Sequence, residues 1–200
     1  FGLEPGTLQG KLLMNMDSED FGELYVGCAG GMDATIEWKY QGVALPVGDI
    51  ALKVNITGLK GGHSGLEINL GRANANKLLF RFLKEAVSQY EARLAKVEGG
   101  NMRNAIPREA YAIITVPAEA REEIEKLVEE YRDLFNEEYK VTENPIIFTC
   151  EEVEAPEMLI PEEIQDDLIN AVTACPNGVF RMIPAIPDTV ETSMNLSIVE

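Results

Sequence analysis

Apolar and polar positions alternate along residues 34–40, "ATIEWKY", where Ile36, Trp38 and Tyr40 share one face. They alternate again along residues 50–56, "IALKVNI", with Ile50, Leu52, Val54 and Ile56 on one side. Period-two alternation predicts half-buried strands, and "GVALPVGD" between them reads as a turn. The period then becomes helical: Leu79, Phe82, Leu83, Ala86, Val87 and Tyr90 fall on one stripe. "RLAKVEGG" reads as a short strand ending in a Gly pair, and "EAYAIITVP", 109–117, as another closed by Pro117. Residues 119–138 predict a second amphipathic helix through Ile124, Leu127, Val128, Tyr131, Leu134 and Phe135. "NPIIFTCEEV", 144–153, is a further strand.

Residues 50–153 therefore read β-α-β-β-α-β with short links. That order predicts an α+β fold of ferredoxin-like type: a four-stranded antiparallel sheet with its helices on one face. A third helix is expected at about 161–175, opened by Pro161, Glu162 and Glu163. "VETSMNLSIVE", 190–200, predicts one more strand, so that 154–200 looks like a partial second α+β unit. Residues 1–30 are Gly-rich and irregular.

Composition narrows the function classes. The chain has 200 residues, 46% of them hydrophobic and 26% charged, which suits a globular domain with a real core. A net charge of −17 argues against nucleic acid and against anionic membranes as partners. No apolar run approaches the roughly 20 residues a membrane helix needs. Cys28, Cys150 and Cys175 form no CxxC pair, which predicts reduced thiols in a cytoplasmic protein. The start, "FGLEPGTLQG", lacks the basic lead and apolar stretch of a signal peptide, and without an initiator Met it predicts a piece of a longer chain.

Three polar stretches could carry chemistry. His63 is the only histidine, set in Gly61-Gly62-His63-Ser64-Gly65 between a predicted strand and helix. It has no triad partner in sequence: the G-x-S-x-G elbow is not matched, and Ser64 is its immediate neighbour. One histidine also excludes a His cluster for metal. Two readings stay open: a polar turn with a satisfied imidazole, or a donor aimed at a carboxylate or oxyanion near a helix N-terminus. "NMDSEDFGE", 15–23, places Asp17, Glu19, Asp20 and Glu23 within seven positions. It fails as an EF-hand, because Phe21 and Cys28 fall where oxygen ligands are needed. It is either a polar turn or the source of one carboxylate for a metal held mainly by other residues. "EGGNMRNAIPRE", 98–109, carries Asn101, Arg103, Asn104 and Arg108, donors suited to a carboxylate, or else it is a long hairpin.

Taken together, "NMDSEDFGELYVGCAGG", "GLKGGHSGLEINLGRANA", "GGNMRNAIPREA" and "VETSMNLSIV" resemble the aminoacylhistidine dipeptidases, the Xaa-His or cytosol non-specific dipeptidases of the two-zinc metallopeptidase superfamily. The resemblance covers essentially the whole chain. It implies a two-zinc catalytic domain with an inserted lid or dimerisation domain. Residues 1–30 resemble the end of the first catalytic half and 31–200 the lid, with 50–153 its core. It further implies that Asp17 is a metal ligand and that His63 contacts the substrate or its tetrahedral intermediate. Asn104 contributes to substrate binding by the same resemblance. Its partners would be a dipeptide, the remainder of the catalytic domain and a second copy of itself. The family's remaining metal ligands and its general-base Glu find no counterpart here, so the segment alone is expected to be inactive. The competing expectation is a non-catalytic dimerisation or small-ligand-binding module.

Overall fold

A computed structural model describes residues 4–12, 14, 16, 21–25 and 29–200. The chain divides into two compact units, 1–35 and 36–200. In the first, the described residues form turns and irregular backbone and no helix or strand.

The second unit holds every regular element among the described residues. In chain order these are β1 (Asp49–Thr57), β2 (Gly62–His63), α1 (Ala75–Tyr90), β3 (Arg93–Gly99), β4 (Ala105–Ile106) and β5 (Ala110–Pro117). There follow α2 (Arg121–Glu138), β6 (Ile147–Val153), α3 (Glu162–Ala174), β7 (Gly178–Met182) and β8 (Val190–Met194). The main sheet has the order β3-β5-β1-β6, and all three pairings are antiparallel. Counting only its own four strands, that is the 2-3-1-4 order of a ferredoxin-like sheet, as the element order predicts.

Registers show why one face is apolar. Leu52 lies opposite Ile114 and Glu152, Val54 opposite Ala112 and Cys150, and Ile56 opposite Ala110 and Phe148. Leu52, Val54, Ile56, Ala112 and Ile114 are all completely buried. Against them α1 lays Leu79, Phe82, Leu83 and Ala86, and α2 lays Ile124, Leu127 and Phe135. The Phe82 ring meets Phe148 edge-on at 5.1 Å and Tyr131 at 5.9 Å, contacts worth about 0.5–1.5 kcal/mol each beyond burial. Ile169 and Val172 of α3 join the same cluster.

Helix ends are held by side chains, one local and one from distant sequence. Asn74 caps α1, accepting the Lys77 N–H at 3.2 Å. The Lys77 ammonium donates to the carbonyls of Val172, Thr173 and Cys175 at 2.7, 3.0 and 2.7 Å, closing the C-terminal end of α3.

Two expectations need correction. Residues 34–40 form no strand; Trp38 is half-buried, while Ile36 and Tyr40 are exposed. Alternation makes a strand only where a neighbour completes the ladder. The outer edge of β3 is already closed by Ile160, which donates to the Leu94 carbonyl at 2.8 Å, and by the Gln165 side chain, which accepts the Leu94 N–H at 2.6 Å. The final strand is also shorter than 190–200: β8 ends at Met194, and Val199 then pairs separately with Gly99.

Candidate functional site

The His63 turn and the 98–109 loop, some forty residues apart, are zipped together. Gly62 pairs with Ile106 and His63 with Ala105 in a two-stranded ladder, β2 against β4. The Ser64 N–H adds a bond to the Asn104 carbonyl at 2.9 Å. So the 98–109 segment is indeed a long hairpin between β3 and β5, and its tip also builds a site. Together the two segments border a cleft of about 680 Å³ lined by Lys60, His63, Asn101, Asn104, Arg108 and Tyr111, among others. Glu98 and Glu109 also border it. In a chain of net charge −17, the cleft brings Lys60 and Arg108 level with its two glutamates and adds two asparagine amides around one imidazole, a set of donors that can meet a polar or anionic group, with the Lys60 ammonium donating to the Thr142 carbonyl at 2.7 Å.

The imidazole is exposed and oriented. Its Nδ1 accepts the Gly65 N–H at 3.0 Å. A neutral ring whose Nδ1 accepts carries its proton on Nε2, so Nε2–H is the free donor. Gly65 makes this possible: a Cβ there would lie 3.1 Å from Cε1 and 3.3 Å from Nδ1 of His63. The glycines before the histidine serve a different purpose. Gly61 and Gly62 have φ of +65° and +145°, conformations that favour glycine. A Cβ on Gly62 would fall 2.5 Å from Arg72 Nη1 and 2.7 Å from Glu67 Oε2.

Those two side chains were invisible to sequence reasoning. The Glu67 carboxylate accepts the His63 backbone N–H at 2.7 Å. Arg72 pairs with Glu67 at 2.9 Å and donates to the Gly61 carbonyl at 2.5 Å. The His63 amide, then the Arg72 guanidinium, hold the Glu67 carboxyl below the usual carboxylate range. The spacing Glu67-x4-Arg72 on a loop gives no periodic signal that could have announced the pair.

A third set of residues frames the site from the C-terminal side. Asn74 donates to the Asn177 side chain at 2.9 Å and to the Leu196 carbonyl at 3.0 Å. Asn195 donates at 2.7 Å to the carbonyl of Ala105, the residue paired with His63. The "RANA" and "MNLS" stretches are thus joined by asparagine amides.

His63 does not run directly into an α-helix. Eleven residues, with a single 3-10 turn at Ile68–Leu70, separate it from α1, whose first turn is capped by Asn74. The first N–H of α1, that of Ala75, donates to the Pro107 carbonyl at 3.0 Å, on the segment that pairs with the His63 turn. Asp17, the sequence candidate for a metal ligand, lies outside the described residues, as does Cys28. Among the described residues, no three His, Cys, Asp or Glu gather where they could hold a metal ion. No described helix is long and apolar enough to cross a membrane.

Comparison with known proteins agrees with this architecture. Residues 54–143, which run from within β1 through the His63 turn and the 98–109 loop to five residues past α2, match the model of the peptidase dimerisation domain. This segment is similar to a peptidase dimerisation domain. The resemblance extends well beyond it. The chain is 40% identical over 199 residues to the cytosol non-specific dipeptidase of Escherichia coli (strain K12), covering 100% of this chain and 41% of that protein. It superposes on the aminoacylhistidine dipeptidase of Vibrio alginolyticus with a TM-score of 0.83 at 41% identity, over 98% of this chain and 40% of that one. The chain thus spans about two-fifths of the length of these relatives. The strands β2 and β4 and the loop residues bordering the cleft all fall inside the range that matches the peptidase dimerisation domain.

Proposed function

We propose that this chain is the lid and dimerisation segment of a metal-dependent dipeptidase that hydrolyses Xaa-His dipeptides, and that its His63 cleft contacts the substrate. In this reading residues 1–30 close the first half of a catalytic domain and 31–200 form the lid, with 50–153 as its core and 154–200 as a partial second unit. The observation that carries it is the β2–β4 ladder, which brings His63 and Asn104 to one cleft from two separate motifs. The names of both relatives support a dipeptide, and that of the Vibrio alginolyticus protein supports the C-terminal histidine.

The chemistry follows from the donors. His63 Nε2–H is set to stabilise the oxygen that becomes negative as the peptide carbon turns tetrahedral, a contribution worth roughly a hundredfold or more in rate. The Asn104 amide, with Lys60 and Arg108 nearby, suits the dipeptide's carboxylate. The resemblance implies two zinc ions. The described residues make no such centre; Asp17 would supply one ligand and the others would come from outside the segment. The cytosol dipeptidase relative supports a cytoplasmic location.

Assembly follows from the sheet edges. With β3 closed by Ile160, Gln165 and Val199, the edge left without a partner strand among the described residues is β6. Open edges pair with other strands, and β6 is the edge through which two copies would join.

The test is hydrolysis of a Xaa-His dipeptide by the full-length protein with zinc restored after chelation. Activity that depends on the metal and falls in Asn104→Ala supports the reading, and Asp17→Ala should lower the bound metal. Metal-independent or absent hydrolysis would refute it, as would peptidase activity of the 200-residue chain by itself. A strictly monomeric protein at high concentration in sedimentation would refute the dimer.

A further inference from the structure

We infer that Glu67 and Arg72 are positioning residues that hold the His63 turn in its donor-presenting shape. The inference rests on the reading of His63 as a substrate contact.

The turn has few other supports. Its backbone passes through two residues of positive φ, Gly61 and Gly62, so it can adopt many shapes. Its only ladder is two residues long, and His63 itself is exposed. Against that freedom stand three linked bonds. Glu67 takes the His63 N–H at 2.7 Å, Arg72 holds Glu67 at 2.9 Å, and the same guanidinium reaches the Gly61 carbonyl at 2.5 Å. The clamp therefore ties the residue before the Gly62 hinge to the residue after it. Gly62 is the point where a side chain would collide with both clamp members. The carbonyl of His63 is held as well, accepting the N–H groups of Leu66 and Glu67 at 3.2 and 2.8 Å. With its backbone fixed on both sides, the imidazole can fold onto Gly65, and Nε2–H is left as the outward donor.

Neither residue needs to touch the substrate. Glu67 does not border the cleft, and neither does Arg72. Their effect would pass through His63. Arg72 is suited to this because a planar guanidinium can serve a carboxylate and a carbonyl together, whereas an ammonium is a single point charge.

Two readouts test the inference separately from the reading on which it rests. The first is amide exchange in the 200-residue protein, followed by NMR at His63 and Gly65. Glu67→Ala should make both amides exchange several times faster while amides of β1 and α1 are unchanged. Glu67→Gln, which keeps an acceptor, should restore part of the protection, and Arg72→Lys should restore it less than Arg72 itself. Unchanged exchange at His63 and Gly65 in Glu67→Ala overturns the inference whatever the enzyme does. General loss of protection across β1 and α1 also overturns it, since the pair would then be holding the fold.

The second readout is a double-mutant cycle on kcat/KM of the full-length enzyme with a Xaa-His dipeptide. A misplaced catalytic group typically costs up to roughly a hundredfold, so Glu67→Ala should lower kcat/KM by about tenfold to a hundredfold. On a His63→Ala background the same change should have almost no further effect. Full additivity of the two losses would mean that Glu67 acts independently of His63, and the inference would be wrong. If His63→Ala alone leaves kcat/KM untouched, the proposed function fails, while the exchange data still decide whether the clamp sets the turn.

Discussion

Gly65→Ala separates the function of the His63 turn from its stability. The new Cβ would sit 3.1 Å from His63 Cε1 and 3.3 Å from Nδ1, against an ordinary carbon–carbon contact of about 3.5–4.0 Å. The ring must retreat by about half an ångström, which breaks or lengthens its 3.0 Å bond from the Gly65 N–H. That bond is exposed, so its loss costs at the low end of about 0.5–1.5 kcal/mol. Replacing glycine stiffens the unfolded chain and returns about 0.4–1 kcal/mol. The two nearly cancel, and stability should change by no more than about 0.5 kcal/mol, or about 2 °C in Tm for a chain of this size. The imidazole, however, no longer has Nδ1 engaged, and its donor direction is no longer fixed. Because His63 is the only histidine, nitrogen-15 NMR of a histidine-labelled sample reports on this ring without overlap. The Nδ1 and Nε2 resonances should move toward those of a freely rotating imidazole, while the full-length enzyme loses about tenfold in kcat/KM. A fall in Tm of 10 °C or so, well beyond the offsetting effects above, would refute the reasoning by making the turn a structural keystone. So would unchanged imidazole resonances.

Three other outcomes follow from the same contacts. Lys77→Met should lower stability by about 1–3 kcal/mol, because it removes the ammonium from three carbonyls at the end of α3; a Tm equal to wild type would contradict this. Burial pushes the Cys150 thiol up to about 11, so at pH 8 only about one thiol in a thousand is ionised; it should label far more slowly in the native protein than in urea, and equal rates would refute the placement. The Glu67 carboxyl, lowered first by the His63 amide, contributes stability above the unfolded carboxylate pKa of about 4.3 and loses it as pH falls through the lower folded value. The Tm difference between wild type and Glu67→Gln should therefore shrink on going from neutral to strongly acid pH, and a difference that grows instead would reverse the assignment.

The main sheet was legible because its signal is local. Leu52, Val54 and Ile56 alternate in sequence and are all buried on one face, and the stripe from Leu79 to Tyr90 lies within α1 as the period implies. Residues 34–40 alternate just as well, yet form no strand, because alternation cannot say whether a partner strand exists. The site was half legible. His63 stood out as the only histidine, set among glycines, and Asn104 was marked by the resemblance of "GGNMRNAIPREA", but the ladder joining their two stretches spans about forty residues of chain and leaves no periodic trace. Glu67 and Arg72 were hidden for the same reason: their role depends on the backbone path through Gly61 and Gly62, not on a pattern. Glycines after a strand suggest an immediate helix, whereas a 3-10 turn and the Asn74 cap intervene before α1.

The most direct test is a paired measurement on His63→Ala. The Tm of the 200-residue protein should stay within a few degrees of wild type, since an exposed side chain contributes little to stability. In the full-length enzyme kcat/KM should fall by roughly a hundredfold or more, with bound metal unchanged. A large loss of thermal stability together with normal hydrolysis of a Xaa-His dipeptide would contradict it, and His63 would then be a residue of the fold.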